Sequence, residues 1–115
     1  MPYTVKTVPH FDREMKRLSK KYVSLKNEYK ELIKELEKNP ELGNHLGNNI
    51  YKIRIGIGSK GKGKRGGARV ITYLKTEHET VYLLSIYDKG EKDTISDNEI
   101  REIIEGEIID NNLLI

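Results

Sequence analysis

The stretch Ile50–Leu74, IYKIRIGIGSKGKGKRGGARVITYL, constrains this chain more than any other. Tyr51, Ile53, Ile55 and Ile57 alternate strictly with Lys52, Arg54 and Gly56. Such a period of two marks a strand with one face on a core and two cations on its open face. Ala68–Leu74 supplies a return strand, and the loop between the two runs is built almost only of glycine, lysine and arginine. No acid falls between Glu41 and Glu77, so residues 42–76 carry +8. The other 80 residues hold 13 basic and 18 acidic groups and carry −5. Charge segregated this way points to a polyanion as partner.

Upstream, Tyr3–Val8 reads as a first strand stopped by Pro9. From Phe11 onward, Met15, Leu18, Tyr22, Leu25, Tyr29, Leu32 and Leu36 recur at steps of four and three, an amphipathic helical stripe. Lys20–Ser24 is the expected break, with Ser24 capping a second helix and Asn39-Pro40 ending it. Lys30, Glu31, Lys34, Glu35 and Lys38 read as the solvated face of that helical hairpin. Glu41–Asn49 reads as a Gly/Asn-rich loop. Downstream, Thr80–Tyr87 is a third, more buried strand of the basic hairpin's sheet, followed by a polar link at Asp88–Asp93. Ser96 and Glu99 have capping-box spacing for a last helix with Ile100, Ile103 and Ile104 inward and Gly106 as its stop. The tail Glu107–Ile115 is either an edge strand or a surface that a partner covers. The order β-α-α-β-β-β-α describes a single α+β domain spanning residues 1–115, with a mostly antiparallel sheet.

Composition narrows the chemistry. There is no cysteine, hence no disulfide framework, thiol nucleophile or Cys-based zinc site, which fits a reducing cytoplasmic setting. His10, His45 and His78 lie in separate segments without ligand spacing, so no metal cofactor is expected. MPYTVKTVPHF lacks a signal-peptide core, and no apolar run is long enough for a membrane span.

Two nucleotide motifs nearly occur in the basic loop. Gly56–Gly61 satisfies G-x-G-x-x-G, and Gly56 to Lys62 begins like a Walker A motif. Gly63 stands where the latter needs Ser or Thr, and the loop leads into a strand where both need a helix N-terminus. The remaining reading is phosphate contact without sequence readout, from Lys60, Lys62, Lys64 and Arg65 on the loop and from Lys52, Arg54 and Arg69 on its flanking strands. Most of the eight aromatic residues fall on apolar faces; Tyr87, beside Asp88-Lys89 at a strand end, is the one placed for stacking on a base.

The segments PHFDREMKRLSKKY, YKIRI, GKGKRGGARVITYL and VYLLSIYDKGEKDTIS together resemble the RelE/ParE superfamily of toxins from type II toxin–antitoxin systems, in its HigB-like branch. The resemblance implies a small antiparallel sheet carrying an N-terminal helical hairpin. It implies a ribosome-dependent, metal-independent mRNA endonuclease without cofactor, or alternatively a gyrase poison of the ParE kind. A non-catalytic RNA-binding module is the third reading. By resemblance, Lys52 and Arg54 correspond to a catalytic basic pair, Arg69 to the arginine opening the next strand, and Lys89 and Lys92 to a further basic group. Gly90 stands where another arginine is expected, and Ser96 lies where some members carry a catalytic tyrosine. In that scheme Lys52 is the general base, Arg54 and Arg69 stabilise the phosphorane, and Lys89 or Lys92 protonates the leaving oxygen. The implied partners are mRNA, the ribosome and a small antitoxin with a helix-turn-helix domain.

Overall fold

The computed structural model describes residues 2–61, 63 and 66–109. Strand β1 (Thr4–Thr7) leads into helices α1 (Pro9–Lys21) and α2 (Leu25–Lys38). Strands β2 (Asn44–Gly47), β3 (Ile50–Ile55), β4 (Ala68–Lys75) and β5 (Thr80–Asp88) follow, then helix α3 (Asp97–Ile104). The five strands form one sheet in the order β1-β5-β4-β3-β2. All pairs are antiparallel except β1 with β5, which run parallel; the helical hairpin takes the chain from β1 at one edge of the sheet to β2 at the other.

Pro9 does more than stop β1. It occupies the first turn of α1, where its missing N–H would have had no partner. The helical stripe packs as its spacing requires: Phe11, Leu18, Leu25, Leu32 and Leu36 are buried, with α1 lying on β5 and α2 against β1. The hairpin breaks at Tyr22–Ser24 as expected, but Ser24 does not cap α2 with its side chain. Its hydroxyl is instead 2.8 Å from the Ser59 hydroxyl. At α3 the capping box is complete: Ser96 Oγ accepts from the Glu99 N–H at 3.1 Å, and Glu99 Oε1 accepts from the Ser96 N–H at 3.3 Å.

Three sequence expectations change. Asn44–Gly47 lies within the stretch expected to be a loop, yet it pairs with β3 as an edge strand, so the order gains one strand. Asn48 and Asn49, both at positive φ (53° and 63°), form the two-residue turn that makes this possible. Gly106 does not end the last helix, which continues as a π-helical turn through Glu105–Ile109 and buries Ile108. Asp88 belongs to the end of β5 and is buried, not part of a polar link. The tail beyond Ile109 lies outside the described residues, so its two readings stay as expectations.

β5 is buried along its whole length, and β4 along most of it, giving the sheet a two-sided core. Tyr51, Ile53 and Ile57 are buried, while Ile50, Lys52 and Arg54 alternate to the opposite face. Helix α3 covers part of that second face, since Ile100 and Ile104 line a groove with Ile50 and Tyr73. The remainder of the face carries the cations.

Candidate functional site

The basic residues converge because of strand register. Arg54 on β3 stands directly across from Arg69 on β4, and Arg69 directly across from Tyr87 on β5. Directly opposed residues in an antiparallel sheet share a face with Cβ atoms about 5 Å apart. Arg54, Arg69 and Tyr87 therefore form one row across three strands, and Lys52 lies two residues along β3 on the same face. The environments differ. Arg54 is exposed and Lys52 half-buried, whereas Arg69 is only 4% exposed and gives one guanidinium N–H to the Ala68 carbonyl at 3.1 Å. A held, desolvated guanidinium beside an open one is an arrangement suited to gripping a phosphate in fixed orientation.

The segment after β5 closes over the same row. Lys92 places its ammonium 5.9 Å from the centre of the Tyr87 ring and pairs with Glu99 on α3 at 2.9 Å. Lys89 pairs with Asp93 and also donates to the Asp93 carbonyl at 3.2 Å. Those acids are what the sequence reading missed. The basic stretch is acid-free in sequence, but Asp93 and Glu99 fold onto it from beyond β5. Their carboxyls are held below the usual range, Asp93 by the hydrogen bond from Lys89 with a further contribution from Lys52. For Glu99 the hydrogen bond from Lys92 is the main cause. Lys52, the expected base, thus has an acid as well as cations around it.

Lys60 goes elsewhere. It lies in a single 3₁₀ turn, Gly58–Lys60, that stitches the base of the glycine loop to the helical hairpin. The Gly58 N–H donates to Glu28 Oε2 at 2.6 Å, and the Ser59 N–H to Ser24 Oγ at 2.9 Å. The Lys60 ammonium sits 2.6 Å from Asp88 Oδ1, both nearly buried. The Tyr22 hydroxyl donates to Asp88 Oδ2 at 2.5 Å, and the Gly90 N–H to Oδ1 at 2.9 Å. Burial pushes the Asp88 carboxyl up, but these three donors outweigh it and bring it down to about 2. Alternation turns Asp88 to the face opposite Tyr87, so Lys60 is an anchor on the helical side and not a member of the cation row. Lys62, Lys64 and Arg65 lie outside the described residues.

Tyr87 is not the stacking platform its position suggested. It is 3% exposed, and its hydroxyl has no hydrogen-bond partner among the described residues. The histidines are dispersed in the fold as in sequence: His10 contacts Glu14 at 3.1 Å, His45 stacks on Tyr51, and His78 lies in the β4–β5 turn. No group of three His, Cys, Asp or Glu able to hold a metal occurs among the described residues, and no described helix is long and apolar enough to cross a membrane.

Solved structures share this architecture. The isolated E. coli RelE toxin superposes with a TM-score of 0.59 at 14% identity, covering 90% of this chain and 97% of that one. In the intact E. coli RelBE toxin–antitoxin complex the values are 0.58 and 17%, covering 75% and 95%. A RelBE-type toxin–antitoxin complex from Mycobacterium tuberculosis gives 0.52 at 20% identity, covering 76% and 92%. At such identities the likeness speaks for the fold. The family follows from sequence: the model of the RelE toxin of the RelE/RelB toxin–antitoxin system matches residues 10–107, and the chain therefore belongs to the RelE toxin family.

Proposed function

We propose that this toxin is a ribosome-dependent mRNA endonuclease that needs no metal. The observation that carries the reading is the cation row itself. Lys52, Arg54, Arg69, Lys89 and Lys92 come from two strands and a loop and gather at one sheet face, open at Arg54 and closed over Arg69. RNA lies across that face with a scissile phosphate at Arg54 and Arg69. The 2′-oxygen passes its proton to Lys52 as general base and attacks the adjacent phosphorus. The bond to the 5′-oxygen breaks, and that oxygen takes a proton from Lys89 or Lys92. The products are a 2′,3′-cyclic phosphate and a 5′-hydroxyl. Fixed guanidinium groups contribute most as charge grows on the phosphorane, because they need no reorganisation at that moment. Lys62, Lys64 and Arg65 add sequence-independent attraction for RNA.

With a lysine as general base the chemistry within the row is modest, so orientation by the ribosome supplies much of the rate. An antitoxin neutralises the protein by covering this face; a helix-turn-helix domain on that antitoxin and a cytoplasmic location follow from the same reading. Purified toxin added to a ribosome-programmed message tests the proposal by primer extension. New 5′ ends with wild type and none with Arg69→Ala are expected. Intact message with both would exclude the nuclease and leave the gyrase-poison and RNA-binding readings.

A further inference from the structure

A buried hydroxyl without a partner costs stability, because it gives up its water and receives nothing in return. Among the described residues, two side chains have such atoms, Thr72 Oγ1 and Tyr87 Oη. Thr72 stands at the β4 bulge, across from Tyr51 on the core side of β3, away from the cations. Tyr87 stands across from Arg69 in the row that Arg54 begins. The Lys92 ammonium lies over its ring, 5.9 Å from the centre, and is tied to Glu99 at 2.9 Å, the two side chains being 37% and 49% exposed. A cover made of one long lysine tied to one glutamate is what an incoming polyanion can draw aside. The phosphate takes over the ammonium and repels the carboxylate.

We infer that the Tyr87 hydroxyl is a substrate contact, donating a hydrogen bond to a non-bridging oxygen of the RNA phosphate held by Arg54 and Arg69. This rests on the nuclease reading above for its substrate. No proton is transferred: the phenol stays protonated, and the contact adds a third, neutral donor to two guanidinium groups. The fold leaves that donor unused so that it is satisfied only when phosphate is bound. Tyr87 is then a catalytic residue in the sense of touching the reacting phosphate, and Lys92 is both cover and cation.

Tyr87→Phe removes the hydroxyl and nothing else. The expected result is a melting temperature equal to or above that of wild type, with ribosome-programmed cleavage slowed by about tenfold or more, as for loss of a hydrogen bond to a charged group. Thr72→Val, which removes the other unpaired hydroxyl, should match the thermal behaviour and leave cleavage unchanged. Cleavage by Tyr87→Phe at the wild-type rate overturns the inference and leaves the nuclease reading intact. A lowered melting temperature also overturns it, since the hydroxyl then serves the fold. Should wild type itself fail to cleave, binding of a short RNA with a 2′-deoxy substitution decides: weaker binding by Tyr87→Phe supports the phosphate contact, and equal binding overturns it.

Discussion

Lys60 and Asp88 stand 28 residues apart in the chain and end 2.6 Å apart in the fold, nearly out of solvent. Removing one member of such a pair leaves an uncompensated buried charge, which costs on the order of 3 kcal/mol or more. Lys60→Met is therefore expected to lower stability by about that amount in urea unfolding, a larger effect than any exposed lysine should show. The pH dependence has a definite sign. The Asp88 carboxyl is depressed from 3.8 to about 2, so its contribution is fully present above pH ~4 and is lost as pH falls through ~2. Asp88→Asn should flatten that acid limb. In the cation row the fork of the guanidinium matters as much as its charge. Arg69→Lys should keep the fold, by circular dichroism, and still lose roughly tenfold or more in cleavage, because an ammonium cannot make two parallel bonds to phosphate. None of the non-local pairings was readable from the sequence. Lys60 and Arg65 look alike in a basic glycine loop, and only the 3₁₀ turn at Gly58–Lys60 shows that Lys60 is spent on Asp88.

At the scale of elements, hydrophobic period was a reliable guide and polar sequence was not. The alternation at Tyr51–Ile57, the stripe from Phe11 to Leu36 and the Ser96–Glu99 capping box each predict an element that the fold contains. Asn44–Gly47 has no apolar alternation and is mostly exposed, so it becomes a strand only by borrowing the edge of β3. The Asn48-Asn49 pair was the signal available for it. Gly106 fails as a stop because a π-helical turn absorbs it while Ile108 reaches the core. The entry to β4 is tighter. A Cβ on Gly67 would run into the Ile55 carbonyl oxygen and lie 3.0 Å from the Gly56 Cα. Gly67→Ala should therefore push β3 and β4 apart where Arg54 and Arg69 face each other. The expected outcome is a protein destabilised by a few kcal/mol in denaturant titration, roughly the cost of overpacking, and slower in cleavage than that loss alone explains.

The whole molecule is a charge-sorted body. Residues 42–76 hold eight cations and no acid, whereas helices α1 and α2 mix nine cations with six acids and the segment after β5 mixes both signs. The +8 of residues 42–76 read from the sequence is therefore an upper figure for what RNA meets, since Lys60 is committed to Asp88. Binding of single-stranded RNA should weaken linearly in a plot of log affinity against log salt, with Lys52→Ala or Arg54→Ala each reducing the slope by about 0.7. Lys60→Ala should leave the slope nearly unchanged, which fluorescence anisotropy across a salt series would reveal. Cutting a bound strand is what would separate this face from a passive RNA-binding surface. Controlled expression in a bacterial host, with primer-extension mapping of transcripts, distinguishes the two. New 5′ ends within translated messages, absent with Arg69→Ala and absent when translation is blocked, are the result predicted. Growth arrest with intact messages and broken chromosomal DNA would contradict it.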